Sequence, residues 1–367
     1  MWSTPQATRR FPAALYMIAL LAAACAGPRF EVPRASRPMV IPDDHSMHPE
    51  FKTEWWYWNG HLATEGGDRY DFILSFTRHD TRGDRWYGLP LLLLPRQSYI
   101  GMFAITDRRR GTYSARTKVN VPDFWAAGAD TESMRVWHDS WRARWDGDGF
   151  HIVARIRDRE LDLRLVPEKP AAIYGTGGFV DVPGAPHYVY SYTRIRVEGT
   201  LADGGSRQAL SGIAWFDHFI GHTQSSHYRA WDWLSVQLDD GYDYMFAQLR
   251  APDGGTLAYA NFEVAPDGTV ARLPDGEPRW TLRRTWPSGR SDAVYRLGWT
   301  IAAPGLILDV NPVIDDQEFH DPPIQRFWEG AVSVRGRHNG VSVTGEGYLE
   351  TVAEGGLPLD GLRFGGS

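Results

Sequence analysis

The sequence predicts an all-β protein built as two antiparallel β-barrel or β-sandwich domains, and three observations support that class. Apolar residues recur with period two through most of the chain, and Asp-Gly and Asn-Gly turn pairs separate the runs. Beyond the N-terminus no segment keeps a 3.6-residue period over a full helix length. A sheet with this many hairpins must close or cover its edges, and 367 residues is long for one barrel. The composition adds 16 Trp, 16 Tyr and 16 Phe, an aromatic content that suits a large apolar ligand. A net charge of −6, with Arg108-Arg109-Arg110 as the one basic run, excludes a nucleic-acid footprint.

The chain opens with "TRRFPAALYMIALLAAAC", where two arginines precede an apolar stretch from Pro12 to Ala24. A bilayer-spanning helix needs about 20 residues, so residues 1–24 read as an export signal. The only cysteine, Cys25, follows in "LAAAC", which is similar to a bacterial lipoprotein processing site. Lipidation of Cys25 is expected, with an ordinary signal-peptidase cut and a soluble periplasmic protein as the alternative. Either way the chain keeps no intrachain disulfide. Residues 25–44 are rich in proline and are expected to form an extended tether. The protein is thus placed in the periplasm or on a membrane of the bacterial cell envelope.

The folded body begins near residue 45. In "TEWWYWNGHL" strand parity sends Glu54, Trp56 and Trp58 to one side and Trp55 and Tyr57 to the other. Asn59-Gly60 suggests a turn, with His61 beside it holding a polar partner. "DRYDFILSFTR" alternates Tyr70, Phe72, Leu74 and Phe76. "VPDFWAAGADTESMRVWH" has room for a short helix. "FHIVARIRDRELDLRLVP" is a hairpin turning near Asp158-Arg159, its wet face carrying Arg155, Arg157, Asp162 and Arg164. The polar stretch "GHTQSSHYR" divides an N-terminal domain, 45–222, from a C-terminal one, 223–367. The second domain opens with an antiparallel meander and ends in a hairpin turning at Asn339-Gly340.

Four stretches carry the candidate chemistry, and none holds a nucleophile elbow, phosphate loop, zinc pattern or dinucleotide fingerprint. No metal and no cofactor is expected. In "SGIAWFDHFIGH", Asp217 shares parity with Ile213 and Trp215. A carboxyl facing inward among aromatics has its pKa raised by desolvation and can hold a proton near neutrality. Alternatively Asp217 pairs with an arginine such as Arg194 and serves the fold. His218, His222 and His227 lie four and five apart but on no helix, which favours structural roles. Asp239-Asp240 reads as turn chemistry. Trp231 and Trp233 share a face in "RAWDWLSVQLDDG".

Together, "EWWYWNGHL", "YSYTRIRVEGTL", "GIAWFDH", "WDWLSVQLDDG", "FWEGAVSV" and "GEGYLE" resemble the carotenoid 1,2-hydratases (hydroxyneurosporene synthases) and the secreted AttH-type lipocalin-like proteins, over roughly residues 45–355. The resemblance implies two lipocalin-like β domains with the site within or between them. The family also includes proteins similar to pericyclases that fold polyene substrates. The hydratases protonate an isolated alkene and add water to the resulting cation, using an aspartate shortly after an aromatic residue; Trp215-Phe216-Asp217 matches that motif. Their upstream histidine and tryptophan, two apart, are not reproduced, since this chain has His187-Tyr188-Val189 near that place.

Two functions follow as expectations. In one, the protein is an envelope enzyme acting on a long isoprenoid, carotenoid or other lipid-like substrate. Asp217 is its acid, and Glu54, Trp55, Trp56, Tyr57, His61, Tyr190, Trp215, His218, Trp231 and Trp233 bind the ligand. In the other it is a non-catalytic lipid-binding or chaperone lipoprotein, with a membrane transporter as partner. A carbohydrate-active protein would need paired carboxylates, and the motifs suggest no such pair.

Overall fold

The computed structural model describes residues 30–82, 84–86, 89–90, 96–120, 126–182, 185–221, 230–251, 255–274, 278–321, 325–353 and 362–363. The expected export signal, Cys25, His222 and His227 lie outside the described residues. Strands from Thr53–Ala63 to Ser206–Gly221 make one 13-stranded sheet, except Arg85–Trp86 and Leu89–Pro90, which join Leu362–Arg363 in a small separate sheet, and those from Ala230–Leu238 to Val341–Thr351 make a 10-stranded sheet. Every paired strand runs antiparallel to its neighbour, as alternating runs joined by short turns demand. Both sheets curl on themselves. In the first, Phe103 meets Trp141 across the core at 5.7 Å, and in the second, Phe246 reaches Trp280 at 6.4 Å.

Thr53–Ala63 lies between Ser206–Gly221 and Arg69–Asp80 near the middle of the first sheet. One face of it, with Trp56 and Trp58, packs the barrel core against Phe216 and Phe150. The other face, with Trp55 and Tyr57, packs against the second sheet. A strand covered on both sides has no wet face to mark with polar residues, which is why aromatics fill both parities. The expected turn at Asn59-Gly60 is not there, since the strand runs through it. Gly60 is needed for close approach: a Cβ there would sit 2.6 Å from Phe72 Cε1 and 2.7 Å from the Ile213 carbonyl oxygen.

Two further expectations change. Where the sequence allowed a helix, Ala127–Ala129 and Arg135–His138 pair as strands, and Met134, Val136 and His138 alternate into the core. Burial with period two overrides local helix propensity there. The hairpin between Phe150–Ile156 and Arg159–Pro167 turns at Arg157-Asp158, one residue early, with Arg157 at φ 55°.

The proline-rich stretch is no free tether from Phe30 onward. Arg34 N–H donates to the Tyr188 hydroxyl at 2.8 Å, Met39 N–H donates to the Gly177 carbonyl at 2.8 Å, and the Met39 side chain joins the barrel core. This strap ends in a buried polar network. Glu54 Oε1 meets a ring nitrogen of His48 and one of His218, each at 2.9 Å. His48 meets Asp44 through its other nitrogen at 2.9 Å, and Arg78 lies 3.4 Å from Glu54. Burial would raise the Glu54 pKa, but the bonds from His218 and His48 outweigh it and hold it down at about 2. Burial also disfavours the His48 cation, yet Asp44 and Glu54 on either side lift its pKa to about 9.

Because the folded pKa of His48 lies above its unfolded value of 6.5, its contribution is complete below pH 6.5 and is lost as pH rises through 9. Urea unfolding at pH 6 should show His48→Gln less stable than wild type by about 3 kcal/mol. The gap should close by pH 10, and a pH-independent gap would refute this assignment of charge.

Candidate functional site

The two barrels meet along a seam whose position is set by buried polar clasps. Asp243 of the second sheet receives Lys169 Nζ at 2.7 Å and Arg194 at 2.6 Å, both from the first. Gln237 Nε2 donates to the Thr193 and Ala214 carbonyls at 2.6 and 3.0 Å. At the far side Arg108 binds Glu346 at 2.7 Å, and Thr106 donates to Gln317 at 3.0 Å.

Cross-strand register lines up one row on the first sheet, with Tyr57 opposite Asp217 and Asp217 opposite Ser191. A second row faces it, with Trp233 opposite Glu350 and Glu350 opposite Glu329. The rows touch where the Tyr57 and Trp233 rings meet edge-on at 5.7 Å. Trp215 packs against Trp233 at 6.3 Å, and Trp55 stacks on Phe219 at 3.6 Å with His187 on its other side. Trp55, His187, Trp231, Trp233 and Glu350 remain half-buried although they lie between two sheets. The seam is therefore a crevice with aromatic walls.

Asp217 is 8% exposed and has no cationic partner among the described residues. Burial raises its pKa to about 7, and the bonds from Ser191 and Trp215 offset only part of that cost. Both donors, the Ser191 hydroxyl and Trp215 Nε1–H (2.6 Å), fall on Oδ1. Oδ2 is left to carry the proton. Arg194, the expected alternative partner, is engaged by Asp243 and the Leu238 carbonyl instead.

Two more acids join this crevice. Trp231 Nε1–H donates to Glu350 Oε1 at 2.7 Å, and burial lifts the Glu350 pKa to about 7. Glu329 is 1% exposed, and the adjacent Tyr57 hydroxyl is the one side-chain donor beside its carboxyl among the described residues. Burial first, and then the neighbouring Glu350, raise the Glu329 pKa well above the usual carboxylate range. The motifs thus do hold a carboxyl pair, contrary to expectation. Both members sit in quoted stretches, "FWEGAVSV" and "GEGYLE", and inward parity in a strand was the signal that marked them.

The residues expected to bind ligand separate into two groups on opposite faces of one sheet. Trp55, Tyr57, Trp215, Trp231 and Trp233 lie with Asp217 in the seam. Glu54, Trp56, Tyr190 and His218 lie inside the first barrel, where the Tyr190 hydroxyl links His45 at 2.6 Å and His218 at 3.1 Å. They are packing and network groups, out of reach of Asp217, because successive side chains of a strand point to opposite faces. His61 belongs to the seam's rim, held by Asp71 at 2.8 Å beneath the Tyr348 ring. His45, His48 and Arg78 escaped sequence reasoning because the path of the strap, not local spacing, brings them to Glu54.

His48, Glu54 and His218 offer ligand atoms within 4.8 Å of one another, close enough to hold a metal ion. The donor set argues against one. The imidazole nitrogens facing Glu54 are already bonded to it, and the Arg78 cation sits beside the same carboxylate.

A family model for AttH-like proteins matches residues 32–353. A Nitrosomonas europaea protein described as an AttH superposes with a TM-score of 0.79 at 25% identity, covering 88% of this chain and 99% of that one. Kievitone hydratase from Nectria haematococca gives 0.69 at 14% identity, over 89% and 97% of the two chains. CghA with Sch210972 gives 0.51 at 15% identity, over the same shares. At 14 and 15% identity these last two share the fold. No curated protein matches the chain. With its two antiparallel sheets and lipocalin-like architecture, the chain belongs to the AttH-like family.

Proposed function

We propose that the protein binds a large apolar, alkene-bearing ligand in the seam and hydrates an isolated double bond of it, with Asp217 as the acid. The observation that supports this most is a carboxyl buried among tryptophans with no cation beside it. An unactivated alkene is a poor base, so its protonation calls for a neutral carboxylic acid in a dry pocket. Asp217 gives its proton to the less substituted carbon, and positive charge develops on the other. The faces of Tyr57, Trp215 and Trp233 stabilise that charge, each by roughly 0.5–2 kcal/mol. A water oxygen then bonds to the cation, and the proton it sheds returns to the Asp217 carboxylate. Alkene and water become alcohol with nothing left over. The hydratase among the structures of like fold agrees with this chemistry, as does the match of Trp215-Phe216-Asp217 to the carotenoid 1,2-hydratase motif. An exported position, with Cys25 as lipid anchor, would put the site near membrane-borne substrates of this kind.

A non-catalytic lipid carrier is the second reading, favoured by Ser191, which bonds Asp217 from the upstream strand where the hydratases' histidine and tryptophan, two apart, are not reproduced. Incubation with lycopene, neurosporene or kievitone in oxygen-18 water separates the two. Hydration should give a labelled alcohol with wild type, and Asp217→Asn should lower the rate at least 100-fold. Retained ligand with no labelled product from any of the three would leave the carrier.

Asp217 also makes a prediction free of any substrate. Its folded pKa of about 7 exceeds the unfolded 3.8, so the folded protein binds the extra proton and loses stability as pH rises between these values. Relative to Asp217→Asn, wild type should lose on the order of 4 kcal/mol from pH 4 to pH 8 in denaturant unfolding. A constant difference would show that Asp217 is ionised throughout.

A further inference from the structure

The hydration chemistry uses Asp217 and leaves Glu329 and Glu350 without a task. Their arrangement is costly. Two carboxyls stand directly opposite each other on adjacent strands, in a position where like charges repel. Glu329 is buried with no cation beside it among the described residues and only the Tyr57 hydroxyl next to its carboxyl. No basic side chain among the described residues pairs with either acid, although Arg250 binds Asp232 nearby at 3.2 Å. A fold that needed only packing at these positions would be served as well by apolar residues of similar size. Aromatic faces surround the pair: Tyr57 and Trp233 in edge contact, and Trp231, whose indole N–H fixes Glu350. Carboxyl charge behind aromatic rings is the chemistry that recognises a bulky, weakly hydrated cation, as in sites for quaternary ammonium groups.

We propose that Glu329 and Glu350 are the counter-charge of this site, holding a cation with several carbon substituents between the rings of Tyr57, Trp231 and Trp233. This rests on the hydration reading in one respect: the cation it serves there is the carbocation formed when Asp217 protonates the alkene. Opposite charge aimed at the place where positive charge develops lowers the barrier without binding the neutral substrate more tightly. The groups facing the pair are Tyr57, Tyr113 and Asp217 from the first sheet and Trp231 and Tyr348 from the second, with Asp232 acting on it through the strand from the other face. None is a base, so at neutral pH the pair holds a proton that a cation would displace.

The test uses benzyltrimethylammonium and its neutral carbon isostere neopentylbenzene, titrated into the full-length protein by calorimetry and tryptophan fluorescence. The cation should bind at least tenfold more tightly than the isostere, and its affinity should rise from pH 5.5 to pH 7.5. Calorimetry in buffers of different ionisation enthalpy should show proton release on binding. Glu350→Gln and Glu329→Gln should each weaken the cation at least tenfold and leave the isostere unchanged. Equal affinity for the two probes, or no proton release from wild type, overturns the proposal even if the variants fail to fold. Preferential cation binding together with unchanged hydration by Asp217→Asn would instead overturn the role of Asp217 and leave the Glu pair in place.

Discussion

The clasp of Lys169 and Arg194 on Asp243 holds the two barrels at one fixed separation, and the chemistry of the seam depends on that separation. All three side chains come from outside the crevice, and the carboxylate they share is wholly buried. Were the clasp to loosen, water would enter between the sheets, and Asp217 would revert toward an ordinary surface carboxyl. Asp217 and Asp243 are both deep. What separates them is partners, two cations for one and a serine and an indole for the other. Polar burial is expensive unless it is compensated, so an acid left uncompensated in so well-defended an interface points to use rather than support.

Much of this arrangement was legible in the sequence. Period-two alternation and turn pairs indicate two β domains. The parity of Trp55 and Tyr57 against Trp56 and Trp58 places them on opposite faces, as found. Asp217 is legible because its neighbours at even spacing, Trp215 and Phe219, are aromatic. The rest depends on contacts that local spacing does not encode. Glu329 and Glu350 lie on separate strands and become a pair only through the register of their hairpin. Glu54 looks like a binding residue until the strap brings His48 beside it. Gly60 reads as a turn residue, whereas its real constraint is the Phe72 ring packed against its backbone.

The first barrel is not an empty cup. Imidazoles, phenols and indoles fill its interior, and the strap contributes His45 and His48 to the filling. Its outer face is pressed against the second sheet in a way that leaves Trp231, Trp233 and Glu350 half-buried. This makes the pairing of the domains, rather than either barrel alone, the unit that could recognise a ligand. Trp55 and Trp215 stand on one wall of the seam and Trp231 and Trp233 on the other.

The alternation along Thr53–Ala63 has a consequence for how such a protein can change over time. Even-numbered positions such as 54, 56 and 58 answer to the interior of one barrel, and odd-numbered positions such as 55 and 57 answer to the crevice. Foldability and, under the proposed function, ligand choice are therefore written on the same eleven residues in interleaved registers. Under that reading, substitutions at positions 55 and 57 can change the ligand with little cost to the barrel, whereas drift at positions 54, 56 and 58 is confined by the core and the network around Glu54. A lineage built on this strand can diversify in what it binds while its scaffold stays nearly still.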